Sequence, residues 1–174
     1  ESIDEDVRDV LDLRRELATS SLKKLDTLLK ATCRDGRLRG AFTFLGMSVY
    51  DAFYWADARS WSIASPFALD IVYHRDLDGA RIAERSTKEI ERLGYGSPDE
   101  RERWARAMKA IFPSVGKGDR LTGVNLPARG AAFFHNGRPI GEIADPAFAQ
   151  AFFGIWLDPR TSAPEFRRRL LGES

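Results

Sequence analysis

Between residues 4 and 32, Val7, Val10, Leu11, Leu17, Leu22, Leu25, Leu28 and Leu29 recur at helical spacing among charged and small residues. That stripe predicts one long amphipathic helix, closed by the RDG at 34–36. The pattern then changes period. GAFTFLG (40–46) and SVYDAFYW (48–55) are rich in aromatic and β-branched residues, as strands are. In SPFALDIVYH (65–74), Phe67, Leu69, Ile71 and Tyr73 fall on one strand face, and Ala68, Asp70, Val72 and His74 on the other. Two helices follow. Asp78 caps the first, which ends at Gly94; SPDE (97–100) carries a capping box and a first-turn proline for the second, which ends before Pro113. GDRLTGVNL (118–126), GAAFFH (130–135) and RPIGEI (138–143) then form a meander, with Asn136-Gly137 as a two-residue turn whose central positions both need positive φ. Asp145-Pro146 opens a further helix, LDP breaks it, and Ser162 with Glu165 predicts a capping box on the last one, closed by Gly172. Grouped strands, then helices, then hairpin-linked strands imply an α+β fold with an antiparallel sheet.

Composition narrows the function classes. The 174 residues carry 27 basic and 26 acidic side chains, a net charge of +1, which gives no global attraction to nucleic acid or an anionic membrane. Cys33 is the sole cysteine, so an internal disulfide and a Cys-rich zinc site are excluded. The longest apolar stretch, Phe148–Leu157, is about half of what spans a bilayer and includes Gln150. The chain shows no secretory signal; it starts at Glu1 without an initiator Met, as expected of a processed or trimmed product.

Isolated chemistry-bearing residues lack partners at useful spacing. His74 and His135 have no second ligand at metal spacing, so no metal or other cofactor is expected. GKGD (116–119) lacks the spacing of a phosphate-binding loop and leads into a strand, which makes it a strand-entry turn. The arginines at 167–169 wrap around a short helix and share no face, as at a solvated helix end. In AFAQAFFGIW (147–156), Phe148, Phe152, Ile155 and Trp156 follow helical spacing and read as a core face, part of which lines a cleft.

Taken in order, FLGMSVYDAFYW, PFALDIVYHRDLDGARIAERSTKEIERLG, GDRLTG and FFHNGRPIGEIADPAFAQAFFGIWLDPRTSAPEFRRRLLG resemble the bacterial chalcone isomerase-like family over roughly residues 37–172. The resemblance implies an antiparallel sheet with helices layered on one face, a cleft between them, and a division into an N-terminal helix (1–36) and a chalcone isomerase-like domain (37–174). Plant members of the wider family isomerise chalcones, others bind fatty acids in the same cleft, and many bacterial members are exported, which makes a periplasmic location an expectation from the resemblance. It places the family's strand arginine at Arg39 or Arg37. Tyr50 takes the place of a threonine in the isomerases and of a tyrosine that, with arginine, holds the carboxylate in the fatty-acid-binding relatives. Asp78, Arg85 and Phe148 stand near a catalytic-site tyrosine, asparagine and late polar residue, so most of the isomerase set is replaced.

Three functional readings follow: a non-catalytic binding protein for a fatty acid or similar apolar carboxylate, with Arg39, Arg37, Tyr50, Tyr54 and Arg85 at the site; an isomerase or lyase with a rearranged site; and an interaction module that docks a partner protein through the N-terminal helix. Tyr50 shares its strand face with Ala52 and Tyr54, the face expected to leave room for a ligand. No nucleic-acid partner and no integral membrane segment are expected.

Overall fold

The computed structural model describes residues 37–44, 47–56 and 61–173, with side chains from Ser48 onward. The long helix expected over 4–32, and with it the unit 1–36, lies outside the described residues. Six strands are β1 (Arg37–Phe44), β2 (Met47–Ala56), β3 (Phe67–Tyr73), β4 (Arg120–Leu126), β5 (Gly130–His135) and β6 (Arg138–Ile143). They form one antiparallel sheet in sequential order from β1 to β6. Among the described residues four helices accompany it: α1 (Gly79–Leu93), α2 (Pro98–Ile111), α3 (Pro146–Leu157) and α4 (Pro164–Leu171).

The alternation in β2 and β3 gives the sheet two unlike faces. Ala52, Tyr54, Phe67, Leu69, Ile71 and Tyr73 are buried in the main core with side chains from all four helices. On the other face Phe53, Trp55, Ala68, Val124, Ala132 and Phe134 form a second cluster, to which no described helix contributes. The helices therefore layer on one face. Asp70 also belongs to the second face. It is fully buried and accepts from Thr122 Oγ1 at 2.9 Å and Arg120 Nε at 2.6 Å, with Arg120 Nη2 as a further ion-pair contact. A buried carboxylate persists there because both of its oxygens are answered.

Local signals end the elements where the sequence places them. Asp78 accepts from the Ala80 N–H at 2.8 Å, and Gly94 closes α1 in the left-handed region at φ 82°. Ser97 and Glu100 make a reciprocal capping box on α2. Asn136 and Gly137, at φ 49° and 83°, form the expected tight turn. Two expectations need correction. The first strand starts at Arg37 rather than Gly40. The last helix has no capping box: its cap is Ala163, which makes no side-chain bond, while Ser162 Oγ donates to Glu89 on α1 at 3.0 Å. Pro164 in the first turn starts the helix one residue later, and a tertiary acceptor takes the Ser162 hydroxyl.

The quoted aromatic run is α3, and it is buried on more than one side. Phe148, Phe152 and Phe153 are 0–5% exposed. Phe153 meets Phe67 at 4.9 Å and Phe152 meets Phe133 at 5.2 Å, both edge-on. The approach to the sheet is close because β4 has no side chain at Gly123, where a Cβ would lie 3.1 Å from the Phe153 ring. α1 packs over α2 and α3 as an outer layer, and α4 covers β1 and β2.

Candidate functional site

Where α1, α3 and α4 diverge above β2 and β3, they leave a cavity of about 470 Å³. This volume lies within the range of small-molecule sites, about 300–1,000 Å³. Ile71, Leu121, Phe112 and Phe152 line it from the core, and Ile82, Ile155, Trp156 and Phe166 from the helices. Three arginines, Arg75 after β3 and Arg81 and Arg85 on α1, line its exposed side. The site is thus apolar within and cationic at its mouth.

Two tyrosines, Tyr50 and Tyr73, line it from the sheet. The Tyr50 hydroxyl accepts from Trp156 Nε1 at 2.9 Å, a bond that ties β2 to α3. Tyr73 and Phe166 flank the ring edge-on, at 5.9 and 6.0 Å. Burial pushes the Tyr50 hydroxyl well above the usual phenol range, against the lowering effects of the Trp156 hydrogen bond and the Arg85 charge. Tyr50 therefore stays a neutral hydroxyl at any physiological pH. Two other lining hydroxyls are committed to the backbone, Ser86 to Ile82 O at 2.8 Å and Thr161 to Ile155 O at 2.7 Å.

The mouth is held together by Glu89. Its carboxylate meets Arg85 Nη2 at 3.4 Å, Arg92 Nε at 3.2 Å and Ser162 Oγ at 3.0 Å. Beside it, Asp158 accepts from Tyr95 Oη at 2.5 Å and from Arg160 Nη2 at 2.8 Å, while Arg160 Nη1 donates to Leu93 O at 2.9 Å. These bonds fix the segment between α3 and α4 against the end of α1. The Arg160 bonds, aided by the Tyr95 hydroxyl, hold the Asp158 carboxyl well below the usual carboxylate range.

The residues singled out from sequence separate here. Tyr50 and Arg85 both line the cavity. Tyr54 does not: it is 4% exposed and packs on Phe67 at 5.6 Å. The register sets Arg37 opposite Trp55 and Arg39 opposite Phe53, whereas Tyr50 pairs with Phe42. The Arg37 and Arg39 side chains lie outside the described residues; among the described residues, Arg85 lines the cavity together with Tyr50. Asp78 is a helix cap, and Phe148 is fully buried core away from the cavity lining. Arg75 and Arg81 were missed; the i, i+4 spacing of Arg81 and Arg85 is the signal that puts two cations on one helix face. Elsewhere, His74 lies 3.3 Å from Asp51 and His135 3.6 Å from Asp119, and among the described residues no three His, Cys, Asp or Glu side chains cluster as metal ligands do.

A sequence profile described as chalcone isomerase-like matches residues 55–172. The chain belongs to the chalcone isomerase-like family. An uncharacterized protein of Haemophilus influenzae is 34% identical over 109 residues, which are 63% of this chain and 53% of that protein; the chain thus spans about half the length of this curated relative. The crystal structure of an Arabidopsis thaliana fatty-acid binding protein superposes with a TM-score of 0.58 at 11% identity, over 79% of this chain and 87% of that one. At that identity the likeness establishes the shared chalcone isomerase-like fold. Among the described residues, no helix is long and apolar enough to cross a membrane.

Proposed function

We propose that this protein binds a single-chain apolar acid, a fatty acid or similar carboxylate, in the cavity between β2–β3 and α1, α3 and α4. The observation that carries the reading is the combination of an apolar interior with Tyr50 inside and Arg85 at the mouth. The chain of the ligand supplies most of the affinity, since each buried methylene contributes about 0.8 kcal/mol. The head group fixes orientation: an exposed arginine and one tyrosine hydroxyl add less than a buried charged pair would. The fatty-acid binding protein of similar fold supports the same class of ligand.

Binding is favoured over isomerisation because the positions nearest the plant catalytic residues have other occupations here. Asp78 caps α1 and Phe148 packs between Trp104 and Phe133. Native mass spectrometry of protein purified without lipid stripping tests the proposal. A population carrying one bound acid of fatty-acid mass is the expected result; protein that emerges ligand-free and takes up no added dodecanoate contradicts it.

A further inference from the structure

The charges at the mouth exceed what one carboxylate head requires. Arg75, Arg81 and Arg85 line the cavity, and among the described residues Glu89 is the only carboxylate in its lining. Glu89 is already shared among Arg85, Arg92 and Ser162. Of the other acids near these arginines, Glu84 lies 3.9 Å from Lys109 and Asp78 caps α1, while Asp76, next to Arg75 in sequence, is exposed and is not among the cavity-lining residues. Arg75 and Arg81 have no ion-pair partner among the described residues, and both are exposed. Two guanidinium groups without an ion-pair partner among the described residues therefore flank the entrance to an apolar cavity, beside a third that Glu89 only partly neutralises.

Resting on the pocket reading above, we infer that the mouth is matched to a doubly charged oxyanion, so that the preferred ligand is a single-chain amphiphile with a phosphate monoester head. A fatty carboxylate brings one charge and two acceptor oxygens. A phosphate monoester brings about −1.5 to −2 at neutral pH and three acceptors. Each guanidinium presents a planar fork that pairs with two oxygens of such a head. The exposed position of all three arginines also suits a head that stays hydrated while its chain is buried, because little desolvation of charge is needed. Arg81 and Arg85 lie one helical turn apart on the same face of α1, close enough for one head to meet both.

The test compares dodecyl phosphate, dodecanoate and inorganic phosphate by calorimetry on the full chain, with wild type and an Arg75→Ala/Arg81→Ala double variant. Dodecyl phosphate is expected to bind wild type about tenfold tighter than dodecanoate at low ionic strength, with the gap shrinking toward about twofold near 0.5 M salt as the exposed charges are screened. The double variant is expected to lose that preference while its dodecanoate affinity changes by less than about threefold. Inorganic phosphate alone is expected to show no saturable binding. Equal affinity for the two amphiphiles in wild type, or a preference that survives removal of both arginines, overturns the phosphate inference and leaves the apolar pocket standing. Inorganic phosphate binding as tightly as dodecyl phosphate overturns the amphiphile and identifies a plain anion site. Binding of neither amphiphile overturns this inference together with the pocket reading.

Discussion

Tyr50 connects the fold to the candidate site at the level of one atom. Its hydroxyl accepts from Trp156 Nε1 and sits on the cavity wall beside Arg85. Tyr50→Phe removes that acceptor and is expected to lower stability by about 1 kcal/mol, and dodecanoate affinity by about three- to tenfold, as the loss of one neutral hydrogen bond does. Urea unfolding and calorimetry read the two effects separately. Burial raises the hydroxyls of both Tyr50 and Tyr73 above the phenol value near 10. Because the folded state resists ionisation, their contribution is complete below the unfolded value and is lost as pH rises above about 10. Spectrophotometric titration should show these two tyrosines ionising only with unfolding. Tyr50 and Arg85 were singled out in the sequence, and both line the cavity. Arg37 and Arg39 fall on β1, where strand parity depends on register: one residue of shift exchanges the two faces, so the sequence alone does not assign them one.

At the scale of elements, the punctuation was readable and the tertiary competition was not. Asp78, the Ser97–Glu100 box, Gly94 and the Asn136-Gly137 turn act locally, so neighbouring residues suffice to find them. Ser162 had the local sequence of a cap, but Glu89, far away in the chain, claims its hydroxyl. Gly137 at φ 83° tests the hairpin: Gly137→Val forces a β-branched residue into the left-handed region and is expected to cost about 1–3 kcal/mol by urea unfolding. The joint of α1 with the α3–α4 segment is tested by acid. Asp158 titrates below its ordinary value in the folded protein, so its contribution is complete above about pH 5 and is lost progressively as pH falls below about 4. Asp158→Asn should lower stability at neutral pH and flatten the acid limb of the stability profile; a parallel, merely shifted limb contradicts the assignment.

For the whole molecule, hydrophobic periodicity was enough to give an α+β protein with an antiparallel sheet, and the family resemblance added the helices on one face. It did not reveal that β3 and β4, separated in sequence by α1 and α2, are direct neighbours, nor that the cavity opens where α1, α3 and α4 part. Both depend on contacts between distant segments. That β3–β4 junction contains Asp70, Thr122 and Arg120, a buried polar group in the middle of the far face. Asp70→Ala removes the buried acceptor that both Thr122 and Arg120 bond and is expected to destabilise the protein by about 3–5 kcal/mol in urea unfolding, a far larger effect than any exposed ion pair would show.

The central claim is that the cavity takes the chain of an apolar acid with its head at the Arg85 side. Calorimetric titration of dodecanoate into the full chain over a range of temperatures tests it most directly. The account predicts saturable one-to-one binding with a negative heat-capacity change from burial of the chain, weakened by Tyr50→Phe and by Arg85→Ala. No saturable binding by the wild-type protein, or affinity unchanged in both variants, would contradict it.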